Sequence, residues 1–164
     1  MAKIDWHLRE FEPKDAPAFA ALNRRWIDEM FGMEEKDRYQ LDRPQHAILD
    51  PGGYIAVADA NGWVVGTGAI LPASLAPDDD RQWMEIVKMA TDPAAQGQGI
   101  GAAVLDALVN VAAHRGATDI WLETNDKLAA ATALYKRKGF RALADDQIWP
   151  TPYARCNLQM VLSL

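Results

Sequence analysis

The sequence predicts one α/β domain spanning residues 1–164, a mixed sheet with helices on its faces. Three observations predict it. Short strand-like runs alternate with amphipathic helical segments along the whole chain. An Asn61–Gly62 pair joins two apolar runs, a strong hairpin signal. The stretch PAAQGQGIGAAVLDAL (Pro93–Leu108) sets Gly97, Gly99 and Gly101 between a strand and an apolar helix.

The elements follow in order. Ile4–Phe11 alternates and reads as a strand. Ala16–Phe31 carries Phe19, Leu22, Trp26, Ile27 and Met30 at helical spacing, with Asp15 as expected N-cap and Pro17 in the first turn. Gly32–Arg43 is charged and holds a shorter helix, which Pro44 ends. Tyr54–Asp59 and Trp63–Ala73 are the hairpin strands, Pro77–Asp80 is a loop, and Arg81–Thr91 is a strand stopped by Asp92–Pro93. Gly99–Arg115 is a helix with Ile100, Val104, Leu108 and Val111 on one face, ended by Gly116. Thr118–Thr124 is a short buried strand. Leu128–Lys138 is a helix with Leu128, Ala131, Leu134 and Tyr135 inward, and Lys136, Arg137 and Lys138 complement the negative end of its dipole. Gly139 supplies the left-handed residue after it, and Phe140 the closing apolar contact. Arg155–Leu164 reads as the final strand.

Bulk properties narrow the function. Formal charge is 17 − 23 = −6, which argues against a nucleic-acid binder. Cys156 is the only cysteine, so no intramolecular disulfide or thiolate cluster forms and a reducing cytoplasm is expected. No apolar run resembles a signal peptide or reaches the ~20 residues of a membrane span. His7, His46 and His114 lack metal-ligand spacing, and no metal is expected. Trp26, Trp63, Trp83 and Trp121 are expected in the core.

The glycines have a physical purpose. The first N–H groups of a helix lack internal partners, and the dipole there favours negative charge. Glycines let the backbone approach phosphate oxygens, and Gln96 and Gln98 add neutral donors. The loop therefore reads as a pyrophosphate cradle. It is no P-loop, because no Gly-Lys-Ser/Thr follows. A dinucleotide fold competes: Gly97-x-Gly99-x-x-Ala102 fits its relaxed fingerprint, and Glu123 ends the next strand. Against it, PAAQ separates the glycines from their strand, and some ninety residues precede them.

Gln96-Gly97-Gln98-Gly99-Ile100-Gly101 resembles the Gln/Arg-x-x-Gly-x-Gly/Ala signature of the GCN5-related N-acetyltransferases (GNAT). EIVKMATDP (Glu85–Pro93) looks like that family's fourth strand and LYKRKGF (Leu134–Phe140) like its fourth helix, and the element order matches along nearly the whole chain. The resemblance implies the GNAT fold, a central mixed, mostly antiparallel sheet flanked by helices. It implies acetyl-CoA as cosubstrate, with its pyrophosphate on the backbone of Gln96–Gly101 and its pantetheine arm along Met89, Ala90 and Thr91, opposite Thr118–Thr124. Leu128 stands seven residues before Tyr135, where many members carry Asn; Asn125, Leu128, Ala131 and Lys138 complete the expected cofactor contacts.

The resemblance also implies the chemistry: transfer of acetyl to a primary amine of a small or amino-acid-like molecule, by direct attack. Tyr135 would protonate the departing thiolate, and the Met89 amide would hold the oxyanion. Glu85 is the first candidate base, Glu123 the second, and a base acting through water the third. Period two puts Glu85, Val87, Met89 and Thr91 on one face. Trp149, Tyr153, Met30, Phe31 and Tyr39 are candidates for the acceptor site; Glu34, Glu35 and Asp78–Asp80 would favour a cation there. A non-catalytic acyl-CoA-binding module and a protein lysine or N-terminal acetyltransferase stay open. The resemblance also implies a homodimer, since dimers are common in the family, and the last strand, if at a sheet edge, would pair the subunits.

Overall fold

The structure, a computed structural model, describes residues 2–164. Seven strands form one sheet in the order β1-β2-β3-β4-β5-β7-β6. They are β1 (His7–Glu10), β2 (Tyr54–Ala60), β3 (Trp63–Pro72), β4 (Trp83–Thr91), β5 (Asp119–Thr124), β6 (Arg141–Ala142) and β7 (Leu158–Ser163). All neighbours are antiparallel except β4 and β5. Four α-helices cover it: α1 (Ala16–Met30), α2 (Glu35–Asp42), α3 (Ile100–His114) and α4 (Ala129–Arg137).

Alternation along the strands builds two cores. Ile55, Val57, Ala69, Leu71 and Val87 face Phe19 and Ile27 of α1 and Leu41 of α2. Ala56, Ala58, Ile70, Met84, Ile86, Ile120 and Leu122 face Val104, Leu105 and Leu108 of α3 and Tyr135 of α4. The second layer depends on Gly68: a Cβ there would lie 2.7 Å from Val104 Cγ1, so only glycine admits α3 so close to β3. Gly139 has φ +95°, and the Phe140 N–H reaches the Tyr135 carbonyl at 3.0 Å, the expected helix exit.

The structure corrects several expectations. Asp15 does not cap α1; its carboxylate receives Arg9 and the Glu12 N–H, closing a 3₁₀ turn over Pro13–Asp15. Trp63 is 77 % exposed at the hairpin, because it stands beside the turn with no helix over it. The last strand begins at Leu158 and lies inside the sheet, because the two-residue β6 pairs with its far side. The last strand is therefore not a sheet edge; β1 and β6 are. Residues Gln45–Leu49, after Pro44, wind into a π-turn that the sequence did not signal.

The period-two expectation for β4 fails at one point. Thr67 pairs with Ala90 but Ala69 pairs with Val87, so Gly68 alone stands opposite Lys88 and Met89. This is a β-bulge, with Lys88 at φ +57°. It keeps Glu85, Val87 and Lys88 towards α1 and α2, and swings Met89 to the α3 side, where its sulfur packs over Gly68.

Candidate functional site

After β4, Asp92 turns its carboxylate onto the Ala94 N–H (2.9 Å), and Pro93–Ala95 form a single 3₁₀ turn. Gly97 and Gly99 follow, each at φ +79°, and α3 starts without a side-chain cap. Among the described residues, none of the six N–H groups from Gly97 to Ala102 has an acceptor. A run of free donors at a helix N-terminus is an anion site. The Gln98 side chain is not part of it. It accepts from Ile4 N (3.1 Å) and donates to Ala2 O (2.9 Å), so it ties the N-terminal segment to the loop.

The strands open a slot beside this loop. β4 and β5 pair only over Trp83–Glu85 and Asp119–Trp121, then diverge. Between them, and reaching α1, α4 and the last loop, lies a cavity of about 680 Å³. Glu85, Met89, Ala90, Thr91, Gln96, Gly97, Gly99, Ile100, Gly101, Glu123, Asn125, Leu128, Ala131 and Tyr135 all line it. Lys138 does not: it pairs with Asp106 at 3.0 Å, and Arg137, one residue earlier, lines the cavity with no ion pair among the described residues. The Asn125 amide is occupied, donating to Arg155 O (2.6 Å) and accepting from Lys127 N (2.9 Å).

Of the acceptor-site candidates, Phe31 and Tyr153 line the cavity, joined by Trp26. Met30 and Tyr39 are exposed and outside the lining. Trp149 is buried, stacked on Trp121 at 4.4 Å and edge-on to Trp83, so it is core. Glu34 binds Arg155 and the Ala154 N–H, while Asp79 holds Trp83; neither they nor Glu35, Asp78 and Asp80 line the cavity.

Burial, with the nearby Glu123 charge, pushes the Glu85 carboxyl up to about 7. Burial also raises Glu123, partly offset by a hydrogen bond from Thr151. Burial raises the Tyr135 phenol to about 12, and its hydroxyl makes no hydrogen bond among the described residues. Cys156, expected in the last strand, precedes it and lines the cavity; burial and the neighbouring Glu123 push its thiol up to about 12. Such a thiol is protonated at neutral pH and is a poor nucleophile.

Sequence reasoning missed one cluster. Lys88 is 3 % exposed and its Nζ lies 2.6 Å from Asp37, whose carboxylate is fully buried. Arg155 grips the same carboxylate with two nitrogens, at 2.5 and 2.7 Å. Burial opposes the charge on Asp37, but Arg155 and Lys88 overcome it and hold the carboxyl at about 2. Burial lowers the Lys88 pKa, with Asp37 resisting. A lysine inside the apolar run EIVKMAT was the available signal; Asp37 and Arg155, 118 residues apart, offered none.

Comparison with known proteins agrees with this geometry. Residues 16–140 match the model of the acetyltransferase (GNAT) family. The chain is 31% identical over 95 residues to N-acetyltransferase family 8 member 2 of Rattus norvegicus, covering 58% of this chain and 42% of that one. It thus spans under half the length of that relative. A GNAT-family acetyltransferase structure from Staphylococcus aureus Mu50 superposes with a TM-score of 0.84 at 20% identity, over 97% of this chain and 99% of the other. A Salmonella typhimurium acetyltransferase structure with its cofactor acetyl-CoA gives 0.76 at 21% identity, over 96% and 93%. The family match covers the bulged strand, the glycine loop and the helix bearing Tyr135, and the chain belongs to the acetyltransferase (GNAT) family.

Proposed function

We propose that the protein transfers acetyl from acetyl-CoA to a primary amine of a small molecule, by direct attack. The observation that carries this reading is the run of six free N–H groups, Gly97–Ala102, opening into the slot where β4 and β5 part, with a carboxyl poised near neutrality at its far end. The residues fit the donor: the N–H run suits its pyrophosphate, and Arg137, without an ion pair among the described residues, adds a cation to the lining. When bound, acetyl-CoA supplies the thioester carbon.

Glu85 takes a proton from the substrate ammonium, which a carboxylate of pKa about 7 can do near neutral pH. The freed amine forms the C–N bond as the C–S bond breaks. The Met89 N–H, turned by the bulge, donates to the carbonyl oxygen as charge develops on it. The Tyr135 hydroxyl would donate its proton towards the departing sulfur and recover the second proton that the nitrogen gives up as the amide forms. Glu123 serves as the alternative base, and its charge keeps Glu85 basic. The protonated state of Cys156 favours direct attack over an acetyl-cysteine route. The lone thiol suits a reducing compartment such as the cytoplasm.

Thermal unfolding with acetyl-CoA, CoA, NAD⁺ and ATP tests the reading first. At ~100 Kd a ligand adds ~2.7 kcal/mol, a shift of about 5–10 °C for a chain of this size. A shift with acetyl-CoA and CoA only, followed by thiol release with amines, is the expected result. A shift with NAD⁺ instead, or none with CoA, refutes it. CoA binding without turnover of any amine supports a binding module in its place.

A further inference from the structure

The acceptor half of the cavity has a sign and a shape, and together they select a substrate class. Its two cations are already committed. Lys88 faces Asp37 at 2.6 Å, and Arg155 holds the same carboxylate with two nitrogens and reaches Glu34 at 3.4 Å. The two carboxylates are not committed to a cation, although Glu123 accepts the Thr151 hydroxyl at Oε1. Neither Glu85 nor Glu123 has a basic partner within ion-pair distance among the described residues. Lys36 and Lys88 influence Glu85, and Arg155 and Lys88 influence Glu123, only at longer range; Lys36 does not line the cavity. Glu123 Oε2 is buried without an N–H or O–H partner among the described residues, and only the weak S–H donor of Cys156 lies beside this carboxylate, which leaves room for a stronger donor. An ammonium entering here satisfies that atom; a carboxylate beside the amine meets two acids, while Lys88 and Arg155 are held by Asp37.

Another part of the lining is aromatic. Trp26 and Phe31, at the end of α1, meet edge to face with ring centroids 6.5 Å apart, and both line the cavity. The Trp26 N–H is satisfied by Asn23 Oδ1 at 3.2 Å and the Arg155 guanidinium lies 5.8 Å from the ring centroid, so Phe31 and the remaining indole surface are what this wall offers an apolar group.

We propose that the acceptor is an aralkyl amine without a carboxylate, its ammonium between Glu85 and Glu123 and its ring against Trp26 and Phe31. This rests on the acetyl-transfer reading of the same cavity.

The test is kcat/KM by thiol release at saturating acetyl-CoA, for 2-phenylethylamine, phenylalanine, propylamine, spermidine and a short peptide with a free N-terminus. Phenylethylamine is expected to exceed phenylalanine by about a hundredfold and propylamine by about tenfold. In Phe31→Ala the phenylethylamine-to-propylamine ratio narrows, while the acetyl-CoA thermal shift reports that the fold is intact. Phenylalanine, spermidine or the peptide as best substrate overturns the proposal, as does an unchanged ratio in Phe31→Ala. So does the absence of turnover across the panel when acetyl-CoA binds. No thermal shift with acetyl-CoA refutes the acetyl-transfer reading itself, a result distinct from a wrong order of amines.

Discussion

Asp37→Asn removes the one charge that holds three elements together. Asp37 comes from α2, Lys88 from the bulge of β4 and Arg155 from the loop before β7. The Asp37 and Lys88 side chains are 0 % and 3 % exposed, so neither charge can turn to water when its partner is lost. Breaking a buried pair costs about 3–5 kcal/mol, because the surviving charge stays uncompensated. For a chain of this length each kcal/mol lowers the midpoint by about 2–4 °C, so a fall of about 6–20 °C is expected. Lys88→Met should be milder, since Asp37 then keeps Arg155. Urea unfolding followed by tryptophan fluorescence measures both, with m unchanged if only stability moves. The sign with pH follows from Asp37. Its folded pKa of about 2 lies below the usual 3.8, so its stabilisation is complete above about pH 4 and is lost as pH falls towards 2. The gap between wild type and Asp37→Asn should therefore narrow from pH 7 to pH 3. A variant within about 1 kcal/mol of wild type at pH 7, or a gap no smaller at pH 3, would show that the cluster does not clamp these elements.

Five further outcomes are expected. Glu85→Gln should remove the acidic limb of the kcat/KM profile, which in wild type rises to a plateau above about pH 7. Because its folded pKa is raised from 4.5, the stability Glu85 confers is present below about pH 4.5 and lost as pH passes 7; Glu85→Gln should gain on wild type at pH 8 but not at pH 4. Gly99→Val places a branched residue at φ +79°, costing about 1–2 kcal/mol, and should raise KM for acetyl-CoA; an unchanged KM separates the loop from the pyrophosphate. Tyr135→Phe should lower kcat about tenfold or more without loss of stability, since the hydroxyl has no partner within the described chain; equal kcat removes its role as acid. Wild type incubated with acetyl-CoA alone should show no acetyl group on Cys156 by mass spectrometry, and finding one would replace direct attack.

Local patterns in the chain determined much of this protein. Asn61–Gly62 set the hairpin, the apolar spacing of Phe19 to Met30 set α1, and Gly139 closed α4, because each depends on neighbours a few residues away. The glycine loop was legible for the same reason: free N–H groups at a helix start need only backbone torsions and a local order of residues. Two errors share a cause. Trp63 and Asp15 were assigned from residue type, but exposure and hydrogen-bond partners depend on what the fold lays over them. Only the tertiary structure produced the β4 bulge, since it arises from a mismatch of register with β3 and turns Met89 away from the face of Glu85. Only it brought Asp37, Lys88 and Arg155 together, because an ion pair between residues 51 or 118 positions apart leaves no local trace. The signature of the donor site lies in one contiguous stretch and was readable; the acceptor wall is assembled from α1, β4, β5 and the last loop, and its charge and shape exist only once those elements pack.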